Sequence, residues 1–164
     1  MKDAMTSSKY KGDDNGAHKE SLRIAHLLNT YGFNVIRRKI EAAPWHTLAP
    51  QDRYDMKQMP SGSYFETHIK ANVFYHANMD ELRGVAQYHG MHMSRNPFKV
   101  LGSSHTRMFT LRDAKTTHMQ FWNRAANCIA VLNTVSGVQV MEEPEIEFAL
   151  FDTNVHHDSK WIQA

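Results

Sequence analysis

With one cysteine in 164 residues there is nothing to build a disulfide framework from, and Cys128 alone argues against a cysteine-rich zinc site. No charge of either sign dominates. Lys and Arg number 19 against 17 Asp and Glu, a formal +2, too little for bulk electrostatics to predict nucleic-acid binding. A local basic patch stays open, because acids and bases need not be evenly spread. No apolar run approaches the roughly 20 residues of a membrane span. The start, Met1-Lys2-Asp3-Ala4-Met5-Thr6, lacks the apolar centre of a signal segment, so the expectation is a cytoplasmic protein with no membrane partner. A Gly-rich phosphate loop, a nucleophile elbow and a paired-carboxylate signature are missing too.

What is there suits one domain of ordinary composition, 41% hydrophobic and 22% charged, long enough for a full core without staples. Histidine (11) and methionine (10) are plentiful. The histidines are scattered, as surface or half-buried side chains are, and methionine is an adaptable core filler. His89-Gly90-Met91-His92 and His156-His157-Asp158 have suggestive spacings but no third ligand. Neither a metal site nor a cofactor is expected.

Residues 1–17 hold Lys, Asp, Ser, Gly and Asn with little that is apolar, which predicts a disordered tail before a single domain over 18–164. Leu22, Ile24, Ala25, Leu27 and Leu28 predict a helix from Lys19 to Tyr31, stopped by Gly32. Alternation predicts a strand from Phe33 to Glu41, and three prolines mark 42–62 as a long loop. A strand is expected over Ser63–Val73, then a helix opened by Asn78 and ended by Gly90. Extended segments follow over His92–Val100 and His105–Arg112. Asp113 is the candidate cap of a helix from Lys115 to Thr134, and a last strand region, Val138 to Phe151, is broken near Pro144. From Ser63 the order is strand–helix–strand–strand–helix–strand. That is the order of an α+β, ferredoxin-like antiparallel sheet with helices packed on one face, here with an N-terminal helix–strand extension. Leu28-Asn29-Thr30-Tyr31-Gly32 and Leu132-Asn133-Thr134-Val135-Ser136-Gly137 are alike, a hint of internal repetition that any helix–glycine–strand turn could also give.

Strand alternation places Glu66, His68 and Lys70 on one face and Phe65, Thr67 and Ile69 on the other. The apolar row should pack on the helices and leave the polar row on the helix-free face. Thr110 and Arg112 share a face of the His105–Arg112 strand, and if the two strands are neighbours the rows meet. Lys70, Arg112 and His68 then form a cationic cluster suited to phosphate: a guanidinium fork, a point charge and a proton donor or acceptor. Glu66 would orient His68 or pair with a base. Arg95 and Asn96 offer further donors on the turn before Pro97. The plainer account is a solvated, charge-paired sheet face.

The run Tyr64-Phe65-Glu66-x-His68-Ile69-Lys70 is followed by Ser94-Arg95-Asn96-x-Phe98-Lys99 and Thr110-Leu111-Arg112. Phe151-Asp152-x-Asn154, Asp158 and Trp161 close the pattern. From about Ile40 to Ile162 it resembles a family of small ferredoxin-like proteins without an assigned activity. A fainter resemblance is to the 2H phosphoesterases, duplicated ferredoxin-like enzymes acting on cyclic phosphates or phosphodiesters, with a His-x-Thr/Ser pair on a strand of each half. The positions here are His68-Ile69-Lys70 and either His105-Thr106-Arg107 or Thr110-Leu111-Arg112, none of which is His-x-Thr/Ser.

The reading that follows is a domain binding a phosphate-bearing ligand, a nucleotide or an RNA end. His68 and Glu66 are the candidate catalytic pair of a phosphodiesterase-like step, and Lys70, Arg95, Asn96, Thr110 and Arg112 the ligand-binding set. Its competitor is a non-catalytic protein-interaction module or a subunit of a larger complex.

Overall fold

The computed structural model describes residues 4–158, without the side chains of 95–101 and 157–158. Among the described residues three α-helices and six strands run in the order α1 (Asp14–Thr30), β1 (Lys39–Ala42), β2 (Tyr64–Phe74), α2 (Met79–Tyr88), β3 (His92–Leu101), β4 (Ser104–Asp113), α3 (His118–Leu132), β5 (Val138–Val140) and β6 (Ile146–Asp152). The sheet is antiparallel throughout, ordered β1-β6-β2-β4-β3, with β5 beside β2. β5 and β6 pair with successive stretches of β2, Ala71–Val73 and Tyr64–Thr67, and so act as one strand interrupted around Pro144. From β2 onward this is a ferredoxin-like α+β fold, and β1 extends its sheet beyond β6.

Alternation along β2 decides the layers. Phe65, Ile69, Ala71 and Val73 are buried on the helix-bearing face, joined by Phe109 and Leu111 of β4 and Phe148 of β6. Leu82 and Ala86 of α2 and Phe121, Ala125, Cys128 and Leu132 of α3 close over them at i, i+3/i+4 spacing. Phe65 sits at the centre, its ring 5.6 Å from that of Phe121 and 5.1 Å from that of Phe148. Burying one such ring contributes about 2 kcal/mol or more. Helix α1 lies toward the β1/β6 edge, where His18 meets Phe151 edge-on at 4.4 Å.

Three boundaries differ from the sequence reading. Helix α1 starts at Asp14, not Lys19, because the Asp13 carboxylate caps it by accepting from Gly16 N–H at 2.7 Å. The strand expected over Phe33–Glu41 is paired only from Lys39. Phe33 and Ile36 are exposed, so no apolar row there favours pairing. Thr117, not Asp113, caps α3: its hydroxyl accepts from Gln120 N–H while the Gln120 side chain accepts from Thr117 N–H. Asp113 instead accepts from Lys115 N–H and pairs with Arg124 at 2.7 Å.

The two similar helix ends make the same joints. Asn29 Oδ1 accepts from Val35 N–H and Asn133 Oδ1 from Val140 N–H, while the Thr30 and Thr134 hydroxyls each donate three residues back, to Leu27 and Val131. Gly32 and Gly137 both take positive φ, 83° and 77°, where a Cβ is disfavoured.

Candidate functional site

A β-bulge sets up the helix-free face. Ile40 opposes Phe151 but Glu41 opposes Ala149, so Leu150 is one residue extra on β6. Past the bulge the alternation shifts phase: Phe151 joins Ile40 on the helix side, and Asp152 joins Lys39 on the face that carries Tyr64 and Glu66.

The residues collected there form one continuous network. Glu66, wholly buried, bonds Lys39 and accepts from Arg112 Nε at 2.6 Å; Lys39 also bonds Glu41. The Tyr64 ring lies under both cations, 5.6 Å from Lys39 Nζ and 5.2 Å from the Arg112 guanidinium carbon. Its hydroxyl donates to Asp152 Oδ2 at 2.7 Å, and Arg37 clamps the same carboxylate through Nε (3.0 Å) and Nη2 (2.5 Å). His68 stands at the margin. Its Nε2 is 3.7 Å from Glu66 Oε1, its Nδ1 is 3.0 Å from the Thr110 hydroxyl across the β2–β4 ladder, and 37% of its side chain is exposed.

Proton affinities follow from these neighbours. Burial would raise the Glu66 carboxyl, but Lys39 and Arg112 outweigh it and hold Glu66 below the usual carboxylate range. His68 is pushed below its ordinary value by burial first; the attraction of Glu66 opposes this, and Lys39 and Arg112 reinforce it. It is therefore a largely neutral imidazole at pH 7. Asp152 drops to about 2, because the bonds from Arg37, Asn154 N–H and Tyr64 overcome burial. The Tyr64 phenol is driven up, by burial and then by its bond to Asp152.

The expected residues divide into three groups. Glu66, His68, Thr110 and Arg112 come together, Glu66 opposite Arg112 and His68 opposite Thr110 in the ladder. Lys70 does not join them. It opposes Met108, two register positions beyond His68, and turns to Glu142 at 3.5 Å. Arg95 and Asn96 belong to β3 rather than to a turn, and their side chains lie outside the described residues. Sequence reasoning missed Tyr64, Arg37, Lys39 and Asp152. Tyr64 was within its reach, being two residues before Glu66 on the same alternation. Among the described residues no group of three or more His, Cys, Asp or Glu is placed to hold a metal ion, and no helix is long and apolar enough to cross a membrane. No family model, curated protein or solved structure matches the chain.

Proposed function

We propose that the helix-free face binds a phosphate-bearing ligand, a nucleotide or an RNA end, with His68 as the acid–base group of a phosphodiesterase-like step. The observation that carries this reading is His68 itself: a half-exposed, neutral imidazole beside a buried cluster of Glu66, Lys39 and Arg112. A neutral imidazole accepts a proton at pH 7, and adjoining fixed cations favour charge that develops on phosphoryl oxygens. Carboxylates orient each cation, so little ordering remains to be done when an anion arrives. The 2H resemblance implies a hydroxyl two residues past the histidine, where this chain has Lys70; the hydroxyl that His68 does meet is that of Thr110 on the neighbouring strand. Tyr64 also lines a depression of about 280 Å³ with Met56, Met59 and Val155, a place for the less polar part of a ligand. We further propose a cytoplasmic location, with which the one buried thiol, Cys128 of α3, is compatible.

Calorimetric titration with 2′,3′-cyclic AMP, 5′-AMP and adenosine tests the reading, with product formation from the cyclic nucleotide followed by phosphorus NMR. Both phosphates should bind and adenosine should not, and His68→Gln should abolish turnover while retaining binding. Equal binding of adenosine, or no binding of either phosphate at millimolar concentration, refutes it. A second reading, a non-catalytic interaction module, is favoured by the exposed aromatic rings of Trp45, Tyr54 and Trp122.

A further inference from the structure

Away from His68, a groove of about 760 Å³ runs between the segment after β1, the start of β6 and the first turns of α3. Its volume falls within the range of small-ligand sites, roughly 300–1,000 Å³. Two indoles line it, Trp45 and Trp122, and both are substantially exposed, at 75% and 47%. Large aromatic rings in water forgo the burial that normally stabilises them, so a pair of them around one groove marks a surface fitted to something else. Pro44 and Pro144 stand in two of the lining segments and fix φ there.

The charges lining the groove are uneven. Glu41, Glu145 and Glu147 contribute three carboxylates, against one lysine, Lys9, brought in by the segment before α1. Lys39 answers Glu41 from the sheet side. Burial raises the Glu147 carboxyl, and Glu41 raises it further, as expected where negative charge exceeds its compensation. Indole faces attract cations through the ring quadrupole, and carboxylates add net charge. A bare metal ion does not fit, since no described group of acids and histidines is arranged to ligate one. An organic cation does: its methylenes lie against the indoles while its charged end meets a carboxylate.

We propose that this groove binds the alkylammonium end of a lysine side chain in a basic peptide, and that Lys9 of the chain's own N-terminal segment competes for it. The chemistry is that of aromatic faces beside carboxylates, and Lys9 already stands on the lining. The proposal does not depend on the phosphate reading, since neither His68 nor Arg112 lines the groove, although Glu41 and Glu147 adjoin the Lys39–Glu66 network on the same sheet face.

The test uses the full chain, ¹⁵N-labelled, and follows the indole N–H signals of Trp45 and Trp122. The probes are the peptide Ala-Lys-Ala-Lys-Ala and its Nε-acetylated form. The charged peptide should shift both indoles saturably and bind about tenfold more tightly than the acetylated one. Trp45→Ala, at a side chain exposed enough to leave folding intact, and Glu147→Gln should each weaken binding several-fold; Lys9→Ala should strengthen it. Equal affinity for the two peptides, shifts that grow linearly without saturating, or a folded Trp45→Ala that binds like the parent would overturn the site. Unchanged affinity in Lys9→Ala would overturn the competition.

Discussion

Replacing Glu66 by Gln preserves shape and removes one charge at the centre of the network. Lys39 and Arg112, whose side chains are only 19% and 14% exposed, would then face a neutral amide. Removing one member of a buried ion pair costs about 3–5 kcal/mol. Partial water access to the two cations trims this to about 2–4 kcal/mol. At a urea m-value of about 2 kcal/mol/M, the midpoint should fall by about 1–2 M with m unchanged. A second readout separates electrostatics from packing. Glu66 is the neighbour that most opposes the depression of His68, so in Glu66→Gln the His68 titration, followed by ring-proton NMR, should move further down. A triple replacement of Lys39, Glu66 and Arg112 by Met removes the buried charges together, leaves only the part-exposed Glu41 without its lysine, and should cost less than Glu66→Gln alone. A midpoint shift under about 0.5 M, or a His68 titration that rises, would refute this account of the network.

Asp152 supplies the acid limb. Its folded pKa of about 2 lies below the ordinary 3.8, so its stabilisation is complete above about pH 4 and is lost as pH falls toward 2. That contribution is about 2 kcal/mol, and Asp152→Asn should flatten the stability profile over pH 2–4 in urea melts. Phe65→Ala, at the centre of the ring cluster, should cost about 3–5 kcal/mol by chemical denaturation. Thr117→Ala removes half of the α3 capping box and should cost about 1 kcal/mol, whereas Asp113→Ala should leave the start of α3 in place, as read by amide exchange of the first turn.

The plait order and the two faces of β2 were legible in the sequence because period-two alternation is a local property: Phe65 and Ile69 inward, Glu66 and His68 outward. The pairing of Glu66 with Arg112 needed only the neighbour rule for such a plait. Asp152 stood in the family-like pattern, but the face it occupies was out of reach for a physical reason. Simple alternation assigns it to the same side as Phe148 and Leu150, and the extra residue at Leu150 reverses that assignment. Arg37 and Lys39 were hidden in a segment read as a regular strand, where only the last residues pair. The same kind of ambiguity misplaced the α3 cap. Asp113 and Thr117 are both good caps, and tertiary contact with Arg124 decides between them.

The short, bulged β1 also bears on how the protein behaves in a crowded solution. An edge strand offers unpaired N–H and C=O groups to any passing chain, and long flat edges recruit partners indiscriminately. At the β6 end of the sheet that edge is only four residues long, kinked against its neighbour and charged at Lys39 and Glu41. A fifth or sixth paired residue would extend the template, and straightening the bulge would flatten it. The same irregularity that turns Asp152 toward Tyr64 therefore keeps this margin of the sheet a poor seed for aggregation.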